Sequence, residues 1–120
     1  MSKPIQERAF RFALQVITQH RLICTDSTAR VLALQLLRSA TSVGANLEEA
    51  DAAHTKREFI HKVRIALKEC RESLYWIRLL EASHLLRDQT LLQEANEIVS
   101  ILTSISRQAQ NNSSRGPHHP

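Results

Sequence analysis

The chain has 120 residues, which is enough for one domain with a single hydrophobic core. Its 42% hydrophobic content is typical of a globular protein, whereas 4% aromatic residues and two glycines argue against a β protein. The net charge of +4 permits an acidic partner without requiring one. Because no apolar run approaches the roughly 20 residues of a membrane span and no N-terminal signal pattern occurs, we expect a soluble cytoplasmic protein without membrane contact.

The first predicted helix begins near Ser2, a cap-forming residue, and carries Pro4 in its first turn. Its apolar residues cover more than the single stripe of an ordinary surface helix: Ile5, Ala9, Phe10, Phe12, Ala13, Leu14, Val16, Ile17 and Leu22. We therefore expect this helix to contact neighbours on two sides. Cap-forming residues at 25–28 mark the first turn.

The second predicted helix, from about Ser27 to Ala53, begins with an apolar run and continues with small residues around Gly44. Four polar residues fall on one stripe at i, i+4, i+8 and i+11, and we call them the polar ladder: Arg38, Ser42, Asn46 and Glu49. The ladder has neither a positioned base nor a pocket, so we interpret it as a structural network that fixes helix register. Three acids near the end of this helix oppose its dipole, which indicates a basic partner from elsewhere.

Thr55-Lys-Arg-Glu58 is a capping box, so we predict a third helix from about Lys56 to Ser83. Its apolar positions alternate by four and three, as in a bundle seam: Phe59, Val63, Ala66, Cys70, Ser73, Ile77 and Leu80. The small residues in the middle of this seam match those of the second helix. This agreement favours antiparallel packing of the two helices.

A fourth helix is predicted after Asp88, with a seam in the same rhythm: Leu91, Ala95, Ile98, Leu102, Ile105 and Ala109. From Asn111 onward the composition offers nothing to bury, so residues 111–120 are predicted to form a disordered C-terminal tail. Four helices with short connections predict an all-α, antiparallel up-down-up-down four-helix bundle over residues 1–110.

Two Glu-x-x-His pairs, Glu58/His61 and Glu81/His84, invite comparison with di-iron bundles. Both pairs lie on one predicted helix, about 35 Å apart, whereas such metal sites take their pairs from different helices. Cys70 lies in an apolar seam and shares no CxxC spacing with the chain's other cysteine, so reduced thiols are expected. No nucleophile turn or glycine-rich phosphate loop occurs. We therefore predict no catalytic residues, no metal, no cofactor and no enzymatic activity.

Basic residues recur along the third predicted helix, and we call five of them the arginine stripe: Arg57, Arg64, Lys68, Arg71 and Arg78. The four arginines are seven residues apart, or about 10.5 Å along the helix axis. One interpretation is a surface that follows the phosphates of RNA or DNA. The other is ion pairing, either along the helix or with the acidic end of the second helix, within or between subunits. Tyr75 and Trp76 lie beside the stripe, where they would stack on bases or contact another subunit.

Three stretches carry a resemblance to a known family. They are Arg38…Ser42-Val-Gly-Ala-Asn46-Leu-Glu-Glu49-Ala, Lys56-Arg-Glu58-Phe-Ile and Ile65-Ala-Leu-Lys-Glu69-Cys-Arg-Glu72-Ser-Leu-Tyr-Trp76. The chain resembles the small bacterial four helix bundle proteins over most of residues 5–108. That family includes proteins encoded in intervening sequences of large-subunit ribosomal RNA genes and is similar to accessory proteins of diversity-generating retroelements. The family has a glycine where this chain has Ala50, a departure that favours a longer second helix.

The resemblance implies an antiparallel four-helix bundle that assembles as a ring-like homopentamer without known catalysis. For the retroelement relatives it also implies binding of nucleic acid and a reverse transcriptase. From the sequence we therefore expect a non-enzymatic, homo-oligomeric scaffold or adaptor. The alternative is an RNA- or DNA-binding accessory protein that uses the arginine stripe.

Overall fold

A computed structural model describes the backbone of residues 3–23 and 26–115. These residues form four α-helices and no strand: α1 (Lys3–Leu22), α2 (Ser27–Asp51), α3 (Lys56–Ala82) and α4 (Thr90–Arg115). The all-α prediction is confirmed. The predicted cap at Ser2 lies outside the described residues. None of the described helices is long and apolar enough to span a membrane.

The helices stand at the corners of a square in chain order. Helices that are consecutive in the chain pack on each other and α1 closes against α4, while the described parts of the diagonal pairs make no close backbone contact. The partners between α2 and α3 show that these two helices are antiparallel. Ser39 of α2 contacts Ser73 of α3, and Glu49, further along α2, contacts Lys62, which is earlier in α3.

The pairs between α3 and α4 show the same reversal. The Cys70 thiol donates to the Ala95 carbonyl oxygen at 3.6 Å, and Arg64, earlier in α3, donates to Gln110, later in α4. Ala9, in the first half of α1, approaches Gly44, in the second half of α2, so consecutive helices α1 and α2 are antiparallel as well. The bundle is therefore up-down-up-down.

One apolar core runs between the four helices. Its largest fully buried side chains are Phe12, Leu36, Leu47, Ile77, Leu80, Leu91, Ile98 and Leu102. The small residues of α2 pack against α1 as well as against α3. Ser39 faces α3, whereas Gly44 faces α1, where a Cβ at Gly44 would lie 3.8 Å from the Ala9 Cβ. This division arises because the two positions lie about 140° apart around the helix.

Side chains cap the starts of α2 and α3. Asp26 accepts a hydrogen bond from the backbone N–H of Ala29 at 2.8 Å, and Thr55 accepts one from Glu58 at 3.1 Å. The Glu58 carboxylate completes the motif by accepting from the His54 N–H at 3.0 Å, one residue before the N–H that a capping box predicts. The cap at Thr55 separates α2 from α3 near His54, as the sequence predicts.

The end of α3 uses a histidine where glycine is common. His84 has a φ of 60°, in the left-handed region. Its N–H donates to the Glu81 carbonyl at 3.0 Å, and the Leu85 N–H donates to the Leu80 carbonyl at 2.8 Å. This pair of bonds is the Schellman pattern, which satisfies carbonyl groups that the last turn leaves open.

Helix α4 continues through Arg115, five residues beyond the boundary at 110 that composition predicts. Asparagine and serine at 111–114 have modest helix propensity but do not break a helix that is already formed. The next residues, Gly116 and Pro117, are true helix breakers and lie outside the described residues.

Candidate functional site

The polar ladder lies along the groove between α2 and α3, where Arg38 connects the two helices. Its Nη1 atom lies 3.5 Å from Glu69 Oε2, and its Nη2 atom donates to Glu72 Oε2. Glu72 also accepts a hydrogen bond of 3.0 Å from the Trp76 indole N–H. The hydrogen bond from Trp76, followed by the contact with Arg38, lowers the pKa of Glu72. Glu72 therefore remains ionised at neutral pH.

Among the other ladder residues, Asn46 and Ser42 bond within α2, whereas Glu49 bonds to α3. Asn46 Nδ2 donates to the Ser42 carbonyl at 2.9 Å and lies 3.0 Å from the Ser42 hydroxyl, so both partners belong to α2. Glu49 crosses the groove and pairs with Lys62 Nζ of α3 at 2.9 Å. The ladder thus joins α2 to α3 at its two ends. None of its described contacts positions a base next to a nucleophile.

A buried hydrogen bond beside the ladder is missing from the sequence prediction. The hydroxyls of Ser39 and Ser73 lie 2.8 Å apart, and both residues are fully buried. Ser73 is recognisable as a polar residue in the predicted seam, and such a residue requires a partner in the core. The sequence does not identify Ser39 as this partner, because that assignment requires the register of α2 against α3.

A second missed contact joins α1 to α4. Arg8 Nε donates to Glu94 at 2.8 Å, and Arg8 Nη2 lies 3.1 Å from Glu97. The hydrogen bond with Glu94, opposed by desolvation and reinforced by Glu97, raises the pKa of Arg8 above its ordinary value. The three residues lie far apart in the chain and share no motif, so no local signal predicts them.

All five residues of the arginine stripe are exposed. Arg64 donates to Gln110 of α4 at 2.6 Å, so at this position the stripe lies on the α4 side of α3. Arg57, Arg71 and Arg78 form no ion pair with any residue that the structure describes. Glu49, at the acidic end of α2, pairs with Lys62, which is not a residue of the stripe.

The two aromatic residues of α3 point in different directions. The ring centroids of Tyr75 and Trp76 lie 5.3 Å apart at an interplanar angle of 67°, an edge-to-face contact. Tyr75 is 52% exposed beside the arginine stripe. Trp76 is half-buried in the α2–α3 groove, packed against the core and bonded to Glu72.

The outer surface of α1 and α2 exposes large apolar side chains. We call these residues the hairpin face: Phe10 (65% exposed), Leu14 (49%), Leu22 (69%), Val31 (59%) and Leu34 (59%). The wide apolar surface of α1 predicts the first three. Val31 and Leu34 belong to the apolar run at the start of α2, and periodicity alone does not separate them from their buried neighbours.

The residues considered for metal and nucleophile chemistry are not brought together. No three histidine, cysteine, aspartate or glutamate side chains among the described residues are grouped to hold a metal ion. His61 lies near the start of α3 and His84 lies two residues after its end, and both are exposed. Burial, reinforced by the charge of Glu94, raises the pKa of Cys70 to about 12. The Cys70 thiol is therefore protonated and a poor nucleophile.

Residues 3–106 match the family model of the 23S rRNA-intervening sequence protein. The fold is similar to the 1.70 Å crystal structure of a protein with unknown function from the S23 ribosomal protein family of Bacteroides thetaiotaomicron VPI-5482. The two chains share 31% sequence identity with a TM-score of 0.80, over 86% of this chain and 98% of that chain. No curated protein matches the chain.

Proposed function

The chain belongs to the family of 23S rRNA-intervening sequence proteins, and from this membership and the exposed apolar surface we propose that it is a non-enzymatic, self-assembling helical scaffold. The resemblance noted in the sequence is confirmed at the level of the family. The proposal adds assembly into a closed ring of identical copies, and the resemblance sets the number of copies at five.

The hairpin face is the observation that carries this proposal. Five large apolar side chains on two adjacent helices are 49% to 69% exposed. Monomeric proteins rarely expose apolar patches larger than a few hundred Å², and larger patches mark protein or membrane contacts. On α4, by contrast, the exposed described positions are polar, as at Ser100 and Ser104. The uneven distribution supports self-association through α1 and α2.

Size-exclusion chromatography with light scattering tests the proposal. We expect the wild type at micromolar concentration to have five times the mass of one 13.7 kDa chain. Leu14→Glu/Leu34→Glu places two charges on the hairpin face and is expected to lower the mass to that of smaller species. Ser100→Glu/Ser104→Glu adds the same charge to the outer side of α4 and is expected to leave the mass unchanged. A wild-type protein that elutes as a monomer contradicts the proposal.

A second candidate function is binding of RNA or DNA through the arginine stripe. The supporting observation is that three of its arginines have no acidic partner in the described chain, while Tyr75 is half-exposed beside them. Guanidinium groups in a line attract a phosphate backbone, and an exposed aromatic ring stacks on unpaired bases.

A mobility-shift assay titrated with salt tests this second function. Arg71→Glu/Arg78→Glu is expected to abolish a salt-dependent shift of single-stranded RNA or DNA. The control Arg87→Glu/Arg107→Glu changes the net charge equally at exposed positions outside the stripe. An equal loss in both variants, or no shift for the wild type, removes the arginine stripe as a nucleic-acid site.

A further inference from the structure

We propose that the outer ridge of α3 binds one single strand of nucleic acid, which lies along the helix and stacks one base on Tyr75. The outer ridge consists of the arginine stripe together with His61 and Tyr75. This inference rests on the second candidate function, which is the binding of RNA or DNA through the arginine stripe. It adds the form of the nucleic acid, single-stranded and not duplex, and the side of α3 that its phosphates follow.

The exposed residues of α3 form one line along the helix, and most of them are basic. Between residues 59 and 78, all of which the structure describes, the exposed positions recur alternately every three and four residues: His61, Arg64, Lys68, Arg71, Tyr75 and Arg78. Arg57 extends the line by one turn toward the start of the helix. None of these exposed positions is acidic, so a chain of phosphates along the ridge meets no carboxylate on it.

Three of the four acidic residues of α3 lie on the flank that faces α2. Glu69 and Glu72 both bind the guanidinium of Arg38 in α2. Glu58 accepts a backbone hydrogen bond in the cap of the helix. At about 100° per residue, these three carboxylates share an arc of about 60° on the α2 side of the ridge. The fourth acid, Glu81, follows the last arginine of the ridge, and its Oε2 atom is buried.

The opposite flank of the ridge borders α4 and is free of such acids. Arg64 donates to the neutral amide of Gln110 in α4. The two acidic residues of α4, Glu94 and Glu97, are turned toward α1, where they bind Arg8. The cations of the ridge therefore border an acidic flank on the α2 side and a neutral, polar flank on the α4 side.

The unequal flanks favour a single strand over a duplex. A helix in the major groove of a duplex, which is about 12 Å wide, lies between two phosphate backbones. One of these backbones would face the α2 flank, where the carboxylates of Glu69 and Glu72 exceed the guanidinium of Arg38 by one charge. A single strand has one row of phosphates, which follows the cations and the α4 flank without approaching these carboxylates.

Tyr75 offers a ring on which an unpaired base stacks. Its side chain is 52% exposed, and it lies one turn after Arg71 and one turn before Arg78 on the ridge. The ring lies edge-to-face with Trp76, which is itself packed against the core. The Tyr75 ring is therefore positioned before a strand arrives. The bases of a duplex are stacked on each other, so an unpaired base is needed to reach this ring.

The length of the ridge limits how many phosphates it neutralises. From Arg57 to Arg78 the ridge is about 31 Å long at about 1.5 Å per residue. A stacked strand with about 3.4 Å per nucleotide covers this length with about nine nucleotides, and an extended strand needs fewer. The five cations pair with five phosphates at most. The logarithm of the affinity is therefore expected to fall with the logarithm of the salt concentration at a slope no steeper than about −3.5.

Fluorescence anisotropy tests the form of the nucleic acid. A labelled strand of about ten nucleotides, close to the length of the ridge, is measured alone and annealed to its complement. The wild type is expected to bind the single strand at least about fivefold more tightly, the lower end of the contribution of one stacked base. RNA and DNA strands are both expected to bind, because they share phosphates and base faces. Glu72→Gln removes a charge from the α2 flank and is expected to narrow the difference between single strand and duplex.

Variants of the ridge test which side chains the strand contacts. Tyr75→Ala is expected to weaken binding of the single strand by roughly 5- to 150-fold with the salt slope unchanged, whereas Tyr75→Phe retains the stack. Arg71→Gln is expected to reduce the slope by about 0.7, the value of one phosphate contact with a single strand. Arg87→Gln, at an exposed position outside the ridge, is the matched control and is expected to leave the slope unchanged.

The outcomes separate this inference from the candidate function on which it rests. A duplex bound as tightly as its single strand overturns the inference, and so does a Tyr75→Ala variant that binds like the wild type. In both cases a reduced slope in Arg71→Gln keeps the arginine stripe as a nucleic-acid site. A preference for the single strand that Glu72→Gln leaves unchanged overturns the role of the α2 flank. A wild type that binds neither form overturns the inference and the candidate function together.

Discussion

Gly44 offers the most direct check of how closely α1 approaches α2. A Cβ added at this position would lie 3.8 Å from the Ala9 Cβ and 3.9 Å from the Ala9 carbonyl carbon, which is ordinary van der Waals distance. No described glycine has a positive φ, so the backbone at Gly44 suits alanine. Gly44→Ala is therefore expected to raise the free energy of unfolding by about 0.5–1 kcal/mol, because glycine loses more chain entropy on folding.

Urea unfolding at one fixed protein concentration measures this effect, since assembly makes stability depend on concentration. The matched control is Ala45→Gly, at the exposed next position of α2, which is expected to lower stability by a similar amount. Gly44→Leu is expected to be destabilising, because its longer side chain reaches into Ala9. A loss of stability in Gly44→Ala, with an unchanged urea slope, would refute the described spacing of the two helices.

Three further predictions follow from single contacts. Arg38→Ala is expected to cost about 1 kcal/mol at pH 7. This difference is present above the unfolded-state pKa of Glu72, about 4.3, and is lost as the pH falls through its lowered folded-state value; a difference that persists in acid contradicts the pairing. Thr55→Ala is expected to cost about 1 kcal/mol in thermal or urea unfolding, whereas Thr55→Ser should retain most of the cap. In a Cys24→Ser background, Cys70 is expected to resist maleimide until denaturant is added, and fast labelling of the native protein would contradict its burial.

The bundle was predictable because its local signals agree. The seam of α3, the capping residues around Thr55 and the scarcity of glycine all indicate the same architecture. The end of α4 was less predictable. The composition after residue 110 shows that this segment has little to bury, but it does not show whether a helix that is already formed continues through it. The exposure of Leu34 was also not predictable. A continuous apolar run at the start of a helix does not show which of its residues are buried in the core and which are exposed.

The contacts of the candidate surfaces depend on register, which a single sequence does not supply. The sequence predicts that the ladder residues share a stripe, but not that Arg38 reaches Glu69 and Glu72 while Asn46 bonds within its own helix. Likewise, an i,i+4 rule would pair Glu72 with Lys68, yet Glu72 contacts Arg38 across the groove. Tertiary neighbours decide among the partners that local spacing permits.

We propose that this bundle is the building block of a closed assembly of identical chains. Sedimentation equilibrium of the wild type over a dilution series from high to low micromolar concentration measures the assembled mass directly. We predict a single species of five times the 13.7 kDa chain mass that persists across the series. A mass of one chain throughout, or masses that grow without limit as concentration rises, would contradict the closed ring.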